Sequence, residues 1–380
     1  MKRRLAAWAG LVALALTACG VVRAGGEAWS FDLPRGFPAP RVPADNPLTA
    51  PKVDLGRRLF YDSRLSGNLR QSCATCHVQA LAFTDGRGRA IGSTGETHPR
   101  GSMSLVNIAY ASALTWGNPS IHTLEEQAKA PMLGTTPVEL GLAAPGDELV
   151  GRLRAASPYP SLFAAAFPDD PAITIDRVTQ ALASFERTIV SSRSPYDRYH
   201  FGGVDDAISP AAKRGEVLFF SRPLSCFQCH GGFNFSGGVE TERSGPRPAE
   251  FHNTGLYNLA GPWSYPPPNT GIFEVTRDPK DIGRFKAPTL RNIAVTAPYM
   301  HDGSIATLEG VIDHYAAGGR TLLEGPLAGV GRDNPNKSET IRGFVLTPAQ
   351  RADLIEFLNS LTDTALLTDP RFSDPGPLRR

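Results

Sequence analysis

Apolar residues recur at helical spacing in several segments of the chain. In residues 175–190 they follow each other at intervals of three or four, which predicts one amphipathic helix with a buried face. The apolar positions of that face are Val178, Leu182, Phe185 and Ile189.

A second helical pattern lies near the C-terminus. Thr347 is suited to an N-cap, and Pro348 follows it at the first helical position, where its missing N–H costs nothing. The apolar residues after it fall on one face: Leu354, Ile355, Leu358 and Leu361.

One pattern that predicts a short amphipathic helix occurs twice. Residues 56–61 (GRRLFY) are matched by residues 215–220 (GEVLFF), and each is followed by a Cys-x-x-Cys-His pentapeptide. A pattern that recurs in the same order indicates two related domains. We predict a Pro-rich tether or arm at 20–51, an N-terminal domain at 52–205 and a C-terminal domain at 206–380.

Alternating strand patterns are sparse, so the sequence predicts a mainly α fold. Gly and Pro number 38 and 33, and residues 240–268 and 318–343 are rich in both. Loops this long are usually functional or mobile. The formal net charge is only +2, which argues against a nucleic-acid-binding protein.

The N-terminus has the pattern of an export signal. Lys2, Arg3 and Arg4 precede an apolar run that ends at Ala18 and is short for a transmembrane span. The run ends in Leu-Thr-Ala-Cys-Gly, which resembles a bacterial lipobox with Cys19 as the lipidated residue. Cleavage nearby that discards Cys19 is the alternative. Either way we expect an exported, periplasmic protein, attached to a membrane only through this anchor.

Four of the five cysteines lie in the two pentapeptides. Such a motif lets two thiols form thioethers with a haem while the adjacent His ligates the iron. Half of a zinc site and a thioredoxin-like redox pair are the alternatives, but zinc leaves each His unexplained and a redox pair needs no duplication. We therefore predict two haem c groups, held by Cys73, Cys76 and His77 and by Cys226, Cys229 and His230.

Further segments make the chain resemble the bacterial di-haem cytochrome c peroxidase/MauG superfamily. These are residues 59–66 (LFYDSRLS), 124–128 (LEEQA), 137–139 (PVE), 285–292 (FKAPTLRN) and 297–304 (APYMHDGS). The MbnH-type branch is the most similar, through residues 82–86 (AFTDG), 92–96 (GSTGE) and 98–101 (HPRG).

The resemblance implies two cytochrome-c-like haem domains that react with hydrogen peroxide. The first haem would meet peroxide and the second would store or relay electrons. The resulting high-valent state would oxidise a side chain, such as Trp, of a periplasmic partner like the metal-binding protein MbnP. There are two alternatives. One is a cytochrome c peroxidase that receives electrons from a small cytochrome, and the other is a non-enzymatic electron-transfer protein.

The resemblance also implies roles for residues around the haems. The distal-pocket Gln, Pro and Glu of the superfamily correspond to Gln127, Pro131 and Glu139, with the Gln as the peroxide-binding residue. The alternative for Glu139, favoured if the resemblance is set aside, is an ordinary acidic residue in a loop. Trp116 corresponds to a Trp between the haems, or to a packed core residue. Thr296 and Pro298, with Asn107 as a third candidate, correspond to ligands of an inter-haem calcium ion.

Tyr315 decides between the branches of the superfamily. It lies fourteen residues after His301, where MauG-like enzymes place a Tyr ligand to the second haem and peroxidases place Met. At helical spacing Tyr315 shares a face with Leu308, Val311 and Ile312, so it points inward while His314 is turned away. A packed tyrosine has the same periodicity. His98 receives no assigned role.

Overall fold

The computed structural model describes residues 29–245, 247–261 and 264–376. Over these ranges the chain is mainly helical, which confirms the predicted fold class. No helix in them is long and apolar enough to cross a membrane. The predicted signal and Cys19 lie outside the described residues.

Within the described residues, six α-helices lie in the first half of the chain and six in the second. The first six are α1 (Ala50–Tyr61), α2 (Cys73–Cys76), α3 (Leu124–Leu133), α4 (Asp147–Ala155), α5 (Tyr159–Ala166) and α6 (Ile175–Glu186). The others are α7 (Pro195–His200), α8 (Pro210–Phe219), α9 (Cys226–Cys229), α10 (Phe273–Thr276), α11 (Leu308–Ala316) and α12 (Pro348–Ser360).

Strands are few and short in the described chain. Antiparallel pairs join β1 (Phe251–His252) to β2 (Phe285–Lys286) and β3 (Thr321–Leu322) to β4 (Gly329–Val330). Three of the four lie within the two loops that the Gly and Pro content predicts. These loops are therefore braced by single backbone ladders rather than by a sheet.

The predicted helix boundaries agree with the structure at one end and differ at another. Thr347 caps α12, and its reciprocal bonds with Gln350 complete a capping box. Helix α6 ends at Glu186, four residues earlier than expected. Beyond it, the Ile189 carbonyl accepts the Asn107 N–H, so a tertiary hydrogen bond replaces a helical one.

The duplicated GxxLF pattern corresponds to two equivalent helix contacts. In α1, Gly56 crosses α6 so closely that a Cβ there would lie 1.9 Å from the Ala181 carbonyl oxygen. In α8, a Cβ on Gly215 would lie 2.0 Å from the Asp353 carbonyl oxygen of α12. The two glycines are thus required by the same close approach of helices.

An aromatic cluster is also repeated. Phe60 packs against Phe83 and Phe185, with ring centroids 6.1 and 5.2 Å away. In the second half, the corresponding three rings have all their centroids within 6 Å of one another. They are Phe219, Phe235 and Phe357.

A further repeat is the pentapeptide Leu-x-Asn-Ile-Ala. It occurs at residues 105–109 and 290–294. Asn107 and Asn292 both adopt left-handed backbone conformations, and their Oδ1 atoms accept the N–H groups of Ser191 and Asp363. Each Asn therefore braces the turn that follows the long helix of its own half.

Buried apolar residues form two clusters that follow the halves of the sequence, but the ends of the chain depart from this order. Leu366 and Phe372 belong to the cluster of the first half. The described part of the Pro-rich arm lies against the body, where Phe37 contacts Tyr110 and Phe233. The domain division at residue 206 stays a prediction.

Candidate functional site

The second Cys-x-x-Cys-His motif forms a single helical turn, α9. The His230 N–H donates to the Cys226 carbonyl, and its Nδ1 lies 3.2 and 3.1 Å from the carbonyl oxygens of Phe235 and Pro288. Because carbonyl oxygens only accept, Nδ1 carries the ring proton and Nε2 keeps its lone pair. Burial lowers the pKa of His230 to about 4, which keeps the ring neutral.

A cavity of about 500 Å³ lies beside this turn. Its walls are mainly apolar, and its volume is in the range of small-molecule and cofactor sites. The motif residues Cys226, Cys229 and His230 line it, together with Trp116 and Tyr315. Two thiols, a neutral imidazole nitrogen and apolar walls fit a covalently attached haem.

Helix α11 brings Tyr315 to the cavity. Leu308, Val311 and Ile312 line the same wall, so the predicted helical face is the one that meets the cavity. Burial raises the pKa of Tyr315 well above its usual value, and the nearby thiols add to this effect. His314 does not line the cavity and is itself buried, packed edge-on to the Tyr315 ring.

The first Cys-x-x-Cys-His motif has the same local geometry. The His77 N–H donates to the Cys73 carbonyl, and Nδ1 lies 2.8 Å from the Phe83 carbonyl oxygen. Nε2 is again the ring nitrogen left for a ligand. All four cysteines of the described chain are free of disulfides, as two haem attachment sites require.

Pro131 and the segment that carries Glu139 are joined, and Glu139 lies near the first motif. Gln127 lies one turn before Pro131 in α3, and the Pro131 carbonyl accepts the N–H of Leu140, the residue after Glu139. Burial raises the pKa of Glu139. Burial is the main cause that raises the pKa values of the Cys73 and Cys76 thiols. The negative charge of the Glu139 carboxylate is near enough to raise both a little further.

Trp116 lies between the large cavity and a second one of about 100 Å³, lining both. Its indole N–H donates to the Gly101 carbonyl at 2.9 Å. The three calcium candidates, Asn107, Thr296 and Pro298, line the smaller cavity. The Asn107 amide is already bonded to Ser191 and Asn234, so it has less freedom to ligate than the other two.

Three polar side chains near the site are absent from the sequence-based assignment. Lys286 lines both cavities, donates its Nζ to the Ala113 carbonyl and has a pKa lowered to about 8 by burial. His301 lines the large cavity and stacks on Phe285 with ring centroids 3.7 Å apart. Glu186 is buried near Cys73. Lys286 and His301 lie in the segments 285–292 and 297–304 that carry the family resemblance, and this position was the sequence signal for a role near the site.

Comparisons with known proteins agree on one family. A family model described as di-haem cytochrome c peroxidase matches residues 50–205. The methylamine utilization protein MauG of Methylorubrum extorquens is 35% identical, over 97% of this chain and 97% of its own length. The cytochrome-c peroxidase IdrP1 of Denitromonas iodatirespirans is 34% identical, over 90% and 89%.

A solved structure is also similar. It is that of a MauG-like protein associated with microbial copper homeostasis, which is 47% identical with a TM-score of 0.88. The similarity covers 92% of this chain and 99% of that one.

Proposed function

This chain belongs to the di-haem cytochrome c peroxidase and MauG family, and we propose that it uses hydrogen peroxide to oxidise a tryptophan of a partner protein. It is a di-haem oxidoreductase of that family, with two haem c groups. The observation that carries the proposal is Tyr315, which lines the cavity of the second haem motif where a cytochrome c peroxidase would place Met.

When bound, the haem groups would supply the redox chemistry: they would give two electrons to peroxide and later withdraw two electrons from the substrate. Cys73 and Cys76 would attach one group, with His77 as the iron ligand. Cys226, Cys229 and His230 would hold the other. The Nδ1 hydrogen bonds to backbone carbonyls support these roles, because they orient each ring and increase the basicity of Nε2.

Gln127 and Glu139 would act on peroxide. Gln127 would hold it by hydrogen bonding. The Glu139 carboxylate would take the proton from the inner oxygen and return it to the outer oxygen, so that the O–O bond breaks and water leaves. Glu139 ends this transfer as the carboxylate it began as.

Tyr315 would be a second protein ligand, besides His230, to the iron of the haem at the second motif. An anionic oxygen stabilises oxidised iron relative to a thioether. Burial disfavours a free phenolate here, so only a bound cation would keep Tyr315 ionised. This ligand would bias the site toward oxidising a protein side chain rather than accepting electrons from a cytochrome.

Trp116 would pass electrons between the two haems, and its place on the wall of the second motif's cavity supports this role. A calcium ion would suit the smaller cavity, where Thr296 and Pro298 supply oxygen atoms and Asn107 a third. Such an ion would join residues from the two halves of the chain beside Trp116.

The proposed partner is an exported metal-binding protein similar to MbnP. The similar MauG-like structure is associated with copper homeostasis, which supports a partner from metal handling. The proposed location is the periplasm, with a lipid anchor at Cys19.

The test is mass spectrometry of a candidate partner after incubation with the holoprotein and peroxide. We expect one partner tryptophan to be oxidised, and Tyr315→Met to lower the initial rate and hence the yield at a fixed early time at least about tenfold, a rate change equivalent to ~1.4 kcal/mol of activation free energy. The matched control is Glu356→Gln, an exposed change on α12 away from both cavities, which should leave the yield as it is. An unmodified partner would contradict the proposal.

Cytochrome c peroxidase activity is the second candidate, since relatives of that name are 34% identical. Rapid oxidation of a reduced small cytochrome by the unaltered protein would favour it. We instead expect slow turnover that rises in Tyr315→Met, because a thioether ligand favours reduction of the second haem.

A further inference from the structure

His98 faces Glu139 across a loop contact. Its Nε2 lies 3.9 Å from Glu139 Oε1, and both side chains are partly buried. This is slightly longer than a hydrogen bond, a separation typical of catalytic groups that tighten when substrate binds.

The loop that carries His98 is joined to the segment that carries Glu139 by two hydrogen bonds and a close backbone approach. The Ser93 N–H donates to the Glu139 carbonyl at 2.6 Å, and the Val138 N–H donates to Glu96 Oε2 at 3.0 Å. At Gly92 a Cβ would lie 1.8 Å from the Val138 carbonyl oxygen. These two hydrogen bonds and the close approach at Gly92 therefore fix the relative position of the segments that carry His98 and Glu139.

The surroundings of the imidazole place its proton on Nε2. Its Nδ1 lies 3.0 Å from the Arg100 backbone nitrogen and 3.2 Å from the Arg100 carbonyl oxygen. The shorter contact is with a group that only donates, so Nδ1 accepts it. Nε2 then carries the proton and is directed toward an acceptor, the Glu139 carboxylate.

We propose that His98 is a positioning residue for Glu139: its Nε2–H donates to Oε1, orients the carboxylate and stabilises its ionised form. This inference rests on the proposed function, in which Glu139 accepts a proton from peroxide. The proton on Nε2 stays on His98, and the only proton transferred is the one that Glu139 moves between the two peroxide oxygens.

The charges around the pair define the expected pH dependence. His98 is faced by Arg100 and Glu96 from its own loop and by Glu139 from the other segment. Burial, then Arg100, lowers the pKa of His98, so the ring is neutral through the physiological range. Burial raises the pKa of Glu139. Removing the Nε2–H donor would raise the pKa of Glu139 further, so the carboxylate would become protonated at a higher pH.

The first test is the rate of the holoprotein's reaction with peroxide, followed by stopped-flow absorbance from about pH 4.5, near the ordinary pKa of a glutamate, up to about pH 8. The acid limb is the low-pH part of the pH–rate profile, where the rate falls as Glu139 becomes protonated. In His98→Leu we expect this limb to move up by about one pH unit, so that the rate at a given pH on the limb falls about tenfold. His98→Gln restores an N–H donor near the Nε2 position and should return the limb toward the original. His122→Leu is the matched control, since that exposed histidine bonds to the Ser112 carbonyl and not to Glu139.

The second test needs no turnover. In a ¹⁵N spectrum of histidine-labelled holoprotein, assigned by its loss in His98→Gln, the His98 ring should show the Nε2–H tautomer. Its Nε2 signal should shift in Glu139→Gln. The Nδ1–H tautomer, or an unchanged acid limb in His98→Leu, would overturn the proposal.

Two further outcomes separate this inference from the function it rests on. If Glu139→Gln slows the peroxide reaction while His98→Leu leaves the acid limb in place, only the role of His98 is wrong. If Glu139→Gln has no effect on the rate, the proposed proton transfer is wrong. A changed resting EPR spin state in His98→Gln would identify an iron ligand and would also overturn the positioning role.

Discussion

Glu186 is a buried carboxyl group near the first haem motif. Its Oε2 has no hydrogen-bond partner among the described residues. Burial raises its pKa to about 8, and the neighbouring Arg187 offsets only part of that effect. A carboxyl group in this position is held in its neutral form at the pH where an exposed glutamate is ionised.

This burial has a consequence for stability. A folded-state pKa above the unfolded value adds stability that is fully present below the unfolded pKa and lost as pH rises through about 8. We expect Glu186→Gln to remove this decline, so its advantage over the unaltered protein grows by on the order of 4 kcal/mol between about pH 4.5 and 8. Denaturant unfolding at several pH values measures it.

Glu356→Gln, on the exposed face of α12, is the control for this comparison. It should leave the pH dependence of unfolding as it is. Equal slopes for Glu186→Gln and the unaltered protein would show that Glu186 is ionised in the folded state.

At the scale of elements, the two helix crossings test whether the sequence repeat reflects a shared structural need. A Cβ at Gly56 or Gly215 would meet a backbone carbonyl of the facing helix at about half the normal contact distance. Backbone atoms cannot turn away as a flexible side chain can, so the helices must separate.

We therefore expect Gly56→Ala and Gly215→Ala each to destabilise the protein by about 3 kcal/mol or more, a cost typical of overpacking in a tight core. Thermal unfolding followed by circular dichroism would show it. Gly151→Ala is the matched control, because Gly151 lies exposed in α4 and a Cβ there would meet no atom within 4 Å. That change should be neutral or stabilising by up to ~1 kcal/mol.

At the scale of the whole molecule, the C-terminal segment returns to the first half of the chain. The Tyr61 hydroxyl donates to the Phe372 carbonyl, and Gln79 donates to the carbonyls of Leu366 and Asp369. Leu366 and Phe372 are buried in the first cluster. A boundary drawn by sequence position alone assigns this segment to the second domain, whereas its contacts join the two halves.

Truncation after Ala365 should therefore destabilise the first half, by about 2–5 kcal/mol for the loss of two buried apolar side chains. Limited proteolysis, with the cleavage sites identified by mass spectrometry, would place the new sensitivity in residues 50–205. Truncation after Gly376 keeps every contact named above and should leave the pattern unchanged. Cleavage confined to the second half would contradict this role.

Short-range features of this protein could be predicted from its sequence. A haem attachment motif is five adjacent residues, and a helix cap such as Thr347 acts within one turn, so neither depends on distant parts of the chain. The duplicated pattern likewise predicted the helices α1 and α8. Residue identity and spacing are enough for these, because the bonds involved join neighbours.

Contacts between distant residues needed the folded chain. Glu139 lies 41 positions from His98 in the sequence, and their apposition results from the hydrogen bonds and the close backbone approach that join their segments. His314 was expected to turn away from the interior but is buried, because periodicity identifies the face toward one cavity and not what covers the opposite face. Burial and long-range distance are properties of packing, and packing is what gives Glu139, Glu186 and Lys286 their shifted pKa values.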